Sequence, residues 1–277
     1  MIKSPPKVMT FSATDPTGGA GLQADILTIS SLGCHPISIA TGCSVQDTIG
    51  VSKLIPNDAK LVNDQARLIL ADMEVEIFKI GLACSKENIN VIAEIVSDYP
   101  DIPLIIDPVL SSGRGDEFTD IEARKMMIEL LFPKSLLITP NSLEARQLIS
   151  NDEDLSELSI IECVDRFKDM GCENILITGT HEKTENVINT LYSSSNQIIP
   201  YHWDRLQSIY HGSGCTLTAA ICAYYALGFS ICDAVEEAQH FTWQTLRHGF
   251  KIGMGQLIPN RFFRANDVED DGKFKHN

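Results

Sequence analysis

The sequence predicts a doubly wound α/β sandwich, a mostly parallel sheet with helices on both faces. Three observations predict it. Apolar runs rich in Ile, Val and Leu recur along the chain, and amphipathic segments with helical spacing alternate with them. Parallel neighbours need a crossover connection, so this alternation covers the sheet on both sides. The third is size: 277 residues suffice to remove roughly three quarters of the unfolded surface from water in one core. A single domain is expected over residues 1 to 263, followed by a polar tail, 264 to 277, that contains VEDDGK and is expected to be disordered.

KVMTFSA reads as the first strand, TDPTGG as a loop, and a helix follows from about Ala20 to Leu32, stopped by Gly33. PISIATGCSV is the second strand. A polar loop then leads to a helix between about Asp58 and Met73. Strand EIFKIG, a helix after Ser85, strand PLIIDPV and a helix near Ile121 to Leu131 come next. SLLIT is a strand, with helices around 142 to 149 and 157 to 170, and NILIT is the last parallel strand. NTLYSS and QIIPYHW look like an antiparallel addition at the sheet edge. In HGSGCTLTAAICAYYALG the apolar positions Leu217, Ala220, Ile221 and Tyr224 recur at i, i+3, i+4, i+7, so a helix begins near Ser213 and stops at Gly228. A final helix runs from Ile231 to about Gly249.

A net charge of −15 argues against non-specific nucleic-acid binding, which needs a basic stripe that the sequence does not show. No stretch of about 18 apolar residues is present, and Pro5 and Pro6 interrupt the start, so a cytoplasmic protein without membrane spans is expected. The eight cysteines form no C-x-x-C pair and no zinc spacing. Cys34, Cys43, Cys84, Cys222 and Cys232 lie in apolar stretches and are read as buried thiols.

In an open parallel sheet the ligand lies beyond the carboxyl ends of the strands, and four such loops are unusual. In ATDPTGGAGLQAD, Gly19, Gly21 and Ala24 fit G-x-G-x-x-A, with Asp47 downstream. The detour through Asp15 and Pro16 separates those glycines from the strand, which argues for a small-molecule pocket loop over a dinucleotide turn. Gln46 stands after strand two, where its amide can pair with the N–C–N edge of a nitrogen heterocycle or with nearby backbone. Asp107 ends an apolar strand in IIDPV. ITPNSLEA places Asn141 and Glu144 where they can form a capping box, or where Glu144 and Asp107 can hold a hydrated Mg²⁺ through its waters. The fourth loop is Gly212, Ser213, Gly214 and Cys215, whose free N–H groups at a helix start form an anion seat.

Together these motifs resemble the hydroxymethylpyrimidine and hydroxymethylpyrimidine phosphate kinases of thiamine biosynthesis, within the ribokinase superfamily. The resemblance runs from about residue 8 to 263 and rests on T-D-P-x-G-G-A-G-x-Q-A-D, V-Q-D-T, K-I-G, D-P-V, T-P-N-x-x-E and H-G-x-G-C-T in order. It implies a ribokinase-like fold and ATP-dependent phosphorylation of 4-amino-5-hydroxymethyl-2-methylpyrimidine, then of its monophosphate. It further implies that Gln46 reads the aminopyrimidine, with Asp15, Gly18, Gly19, Gly21 and Val109 around it. Asn141, Glu144, Thr178 and Gly179 are expected at the nucleotide, and Gly212 to Cys215 as the anion hole. A thiol at a helix start is expected to have its pKa drawn down from about 8.5, so Cys215 is a candidate base. The partners expected are the pyrimidine and ATP, in a homodimer.

One departure stands out. Relatives of this type often carry a lysine where this chain has Thr178, so Mg²⁺ and the Ser213 to Cys215 amides must carry more charge, with Arg114 as an alternative cation. A pyridoxal-type kinase and a non-catalytic pyrimidine sensor are the rival readings.

Overall fold

A computed structural model of the chain describes residues 4–111, 118–150 and 158–266. The expectation for Arg114 therefore falls outside the described residues. Among the described residues nine strands form one sheet, in the order β3-β2-β1-β4-β5-β6-β7-β8-β9. β1 (Lys7–Thr14), β2 (His35–Gln46), β4 (Ile77–Ile80), β5 (Leu104–Ile106), β6 (Leu137–Ile138) and β7 (Ile175–Ile177) run parallel. β8 (Asn186–Tyr192) and β9 (Ile198–Asp204) are added antiparallel at one edge, as NTLYSS and QIIPYHW suggested.

β3 (Val51–Pro56) is the strand that the sequence reading missed, having taken the stretch for loop. It pairs antiparallel with β2 and forms the opposite edge. No residue of β3 is fully buried, so the apolar run that betrays the other strands is absent.

Alternate residues of the strands feed two cores. Met9, Phe11, Phe78, Ile80 and Ile106 point to one face, beneath α2 (Ala59–Leu70), α3 (Lys86–Asp98), α4 (Ile121–Leu130), α5 (Ser142–Ile149) and α6 (Ile160–Asp169). Val8, Ile77, Ile105, Leu137 and Leu176 point to the other, beneath α1 (Gly21–Ser31), α7 (Ser213–Ala226) and α8 (Ile231–Arg247). Both faces are dry, which is why these strands read as near-continuous apolar runs. A short α9 (Phe263–Asn266) carries helix past position 263, so residues 264 to 266 are ordered where the sequence suggested tail. Phe263 is buried against Phe241 of α8, and that contact holds the turn in place.

β1 and β4 are neighbours, yet the chain leaves β1 toward β2 on one side and leaves β4 toward β5 on the other. This is the switch point of a doubly wound sheet, where a crevice opens at the strand ends. Three expectations about cysteines change here. Cys34 and Cys222 are buried, but Cys43 is exposed on the β2–β3 hairpin and Cys84 and Cys232 are half-buried.

Candidate active site

The crevice is a cavity of about 510 Å³, lined by residues that include Asp15, Gln46, Asp107, Glu144, Gly214 and Cys215. Gly21, Val109, Asn141, Thr178, Gly212 and Ser213 also reach its wall. The carboxyl ends of β1, β2, β5, β6 and β7 thus converge with the start of α7.

The anion seat is built by a backbone reversal at Gly212, which has φ +79°. A Cβ there would lie 2.0 Å from the Gly19 carbonyl oxygen, so glycine is obligatory for packing as well as for φ. The Gly212 carbonyl accepts from Thr216 N at 3.0 Å and from the Thr216 hydroxyl at 2.8 Å, which starts the helix. The N–H groups of Ser213, Gly214 and Cys215 precede the first intrahelical donor. Gly214 differs from Gly212. A Cβ on Gly214 would meet only Asp107 Oδ2, at 3.9 Å, so the protein itself leaves that space open.

The loop after β1 folds around Asp15. Its carboxylate accepts from Thr17 N (2.8 Å), Thr17 Oγ1 (2.9 Å) and Ala20 N (2.7 Å), and lies 2.9 Å from His211 Nε2. Burial alone would raise this acid, but those donors together hold it down at about 2. Gly18 and Gly19, expected at the substrate, do not line the cavity. Gly18 supplies a turn at φ +76°, and a Cβ on Gly19 would lie 2.4 Å from the His211 ring, so both serve the loop's fold. Gly21, at φ +56°, does reach the cavity. Gly179 is also corrected: it is not at the cavity wall, its N–H donates to Asn189 Oδ1 at 3.0 Å, and a Cβ would lie 2.1 Å from the Ile188 carbonyl oxygen. It lets β8 approach the end of β7.

The Asn141–Glu144 pair forms the capping box of α5. Asn141 Oδ1 accepts from Leu143 N and Glu144 N, each at 2.9 Å, and Glu144 Oε2 accepts from Asn141 N at 2.9 Å. The structural reading is realised, and the same box brings Glu144 to the cavity wall near Asp107. Burial pushes the Asp107 carboxyl up to about 6, with Asp25 adding and Lys79 opposing. Burial and then Asp107 push Glu144 up to about 8. Asp107 Oδ2 has no hydrogen-bond partner among the described residues. Two carboxyls that repel each other, one with an orphaned oxygen, suit a divalent cation that keeps its waters.

Cys215 departs from expectation. Burial, followed by Asp107, pushes its thiol up to about 12, although Lys79 and the Gly21 N–H pull the other way. At neutral pH it is a thiol.

Several residues of the site went unassigned in the sequence reading. Lys79 and Asp25 form an ion pair with both side chains fully buried, Nζ 2.9 Å from Oδ1, and the Thr10 hydroxyl donates to Asp25 Oδ2 at 2.6 Å. Burial works against the Lys79 ammonium, but Asp25, Cys215 and Asp107 around it hold its pKa above the usual range. The signal was a lysine inside the apolar run IFKIG. Arg261, 3% exposed, donates to the Gly18 and Gly19 carbonyls and to Thr216 Oγ1 at 3.2, 2.6 and 2.9 Å, tying the β1 loop to α7. Nothing local marks it. Val51 and Leu54 of the missed strand also line the cavity.

Comparison with known proteins places the chain in a family. Residues 15–260 match the family model described as phosphomethylpyrimidine kinase. The hydroxymethylpyrimidine/phosphomethylpyrimidine kinase of Bacillus subtilis is 30% identical over 95% of this chain and 97% of its own length. The thiamine biosynthesis bifunctional protein ThiED of Geobacter sulfurreducens is 31% identical over 95% of this chain, which spans about half (54%) of that longer protein. Among solved structures, the pyridoxal kinase of Staphylococcus aureus in complex with pyridoxal superposes with a TM-score of 0.83 at 26% identity, covering 94% of each chain. The expected ribokinase-like α/β fold is the one observed, and the family model spans most of the sequence: the chain belongs to the phosphomethylpyrimidine kinase family.

Proposed function

We propose that this chain transfers the γ-phosphoryl group of ATP to 4-amino-5-hydroxymethyl-2-methylpyrimidine and then to its monophosphate. The observation that carries the reading is Gly214, a glycine that no protein atom requires, set among three helix-start N–H groups at the floor of the cavity. The pyrimidine lies toward Gln46, Val51 and Val109, and the nucleotide toward Asn141 and Thr178. Asp107 and Glu144 are the residues that would hold Mg²⁺ through its waters; the ion, when bound, neutralises charge on the phosphate oxygens. The amides of Ser213, Gly214 and Cys215 receive the charge that develops on the transferring group, and one such donor is worth about 3 kcal/mol of transition-state stabilisation. Cys215 meets the alcohol as a neutral thiol. The loose transition state of phosphoryl transfer allows the hydroxyl proton to leave late, so a strong base is not needed.

The test is Gly214→Ala. A methyl group there occupies the anion seat while alanine suits the helix, so thermal stability should hold or rise while turnover in a coupled ADP-release assay falls at least about 100-fold. Turnover near the parent value would refute the anion seat. A second reading, phosphorylation of a hydroxymethyl pyridine, is favoured by the likeness to a pyridoxal kinase. Parallel assays with pyridoxine and the pyrimidine alcohol separate the two.

A further inference from the structure

Asp15, His211 and Gln46 form a chain of contacts that ends in the cavity. His211 Nε2 lies 2.9 Å from Asp15 Oδ2 and 3.2 Å from Gln46 Nε2. One ring nitrogen faces both groups, and it carries either one proton or one lone pair. Asp15 settles which. Its carboxylate already accepts two backbone N–H bonds and a hydroxyl, an arrangement that favours the charged form, and a carboxylate beside Nε2 requires a proton there.

The consequence reaches Gln46. An N–H on Nε2 cannot bond an amide NH₂, because both are donors. The stable arrangement turns the Gln46 amide by half a turn, so that Oε1 shares the single Nε2–H of His211 with Asp15 in a three-centre bond and the NH₂ faces the cavity. Oε1 keeps a second lone pair. Gln46 then presents a donor beside an acceptor in a set order, the pattern complementary to a ring nitrogen next to an exocyclic amino group.

We infer that His211, oriented by Asp15, is a positioning residue for substrate specificity: it sets which end of the Gln46 amide faces the cavity and so selects a 4-aminopyrimidine edge. The inference rests on the reading of Gln46 as the residue that meets the aminopyrimidine. The surrounding packing fits this role. The His211 ring fills the space beside Gly19, where an added Cβ would lie 2.4 Å from the ring's Cδ2. Its backbone N–H donates to the Leu257 carbonyl at 2.9 Å, which anchors the residue from the other side.

Two measurements on the full chain test it. The first needs no substrate: ¹⁵N-labelled histidine spectra should show His211 protonated at Nε2 and bare at Nδ1. The opposite tautomer overturns the proposal. The second is a double-mutant cycle with His211→Phe, which keeps the ring's shape without its N–H, and Gln46→Ala. His211→Phe should raise the KM for the pyrimidine alcohol about tenfold, the loss expected for one buried hydrogen bond, and leave the KM values for ATP and pyridoxine within about threefold. In the Gln46→Ala background the same change should have no further effect. Additive losses overturn the proposal, because His211 would then act other than through Gln46. If the parent chain does not phosphorylate the pyrimidine at all, the substrate reading fails, while the tautomer still reports on the Asp15–His211 pair.

Discussion

Cys215 shows how a residue's chemistry follows from what surrounds it. A helix start favours a thiolate, but burial and the Asp107 carboxyl outweigh that and push the thiol up to about 12. Cys215→Ser therefore exchanges one neutral hydrogen-bonding group for another, and kcat should fall about tenfold with the pyrimidine KM nearly unchanged. This is far less than the loss expected from blocking the amides at Gly214. Asp15 gives the pH prediction. Its pKa in the folded chain, about 2, lies below the ordinary 3.8. A depressed acid stabilises the fold fully above its unfolded pKa, and the contribution is lost as pH falls through the folded value. Between pH 5 and pH 2, urea titrations should show the parent losing about 2 kcal/mol that Asp15→Asn does not lose. Equal acid sensitivity in the two proteins would refute the assignment.

At the scale of elements, the site depends on two loops held together from a distance. The β1 loop and the start of α7 touch through Gly19 and Gly212, and Arg261 bridges them from just ahead of α9. Its planar fork spreads donors on Nε, Nη1 and Nη2 over three acceptors, whereas a lysine presents all its donors from one point. Arg261→Lys should lower stability by about 2 kcal/mol and speed amide exchange at Gly18 to Ala20 more than elsewhere. Uniform exchange would mean that the arginine serves general packing only. The capping box of α5 makes a related point. Asn141 and Glu144 were legible as a box from spacing alone, since both partners sit within one turn. The sequence also offered Glu144 and Asp107 as a pair; what it did not show is that both are buried at one cavity wall, where burial and then Asp107 raise the proton affinity of Glu144.

For the whole molecule, the two dry faces of one sheet determine both stability and the location of chemistry. Phe11 and Phe78 meet edge to face on neighbouring strands, ring centroids 6.1 Å apart, in the centre of the larger core. Phe78→Ala should cost about 3–5 kcal/mol in denaturant unfolding without shifting the pyrimidine KM of the folded fraction. The alternation of apolar runs and amphipathic helices was enough to read this architecture, because parallel strands buried on both sides must be apolar throughout. β3 escaped the reading because an exposed edge strand carries no such run.

By itself, then, the sequence determined the layered fold, the loops that carry chemistry and the family, since periodicity, glycines at a helix start and ordered motifs are local properties of the chain. Only the tertiary structure decided that Gly18 serves a turn and Gly19 and Gly179 serve packing, that Cys215 keeps its proton, and that Asp15 reaches Gln46 through His211. Those outcomes depend on burial and on contacts between residues as far apart as 15 and 211, and both arise only when the strands and helices close around the cavity.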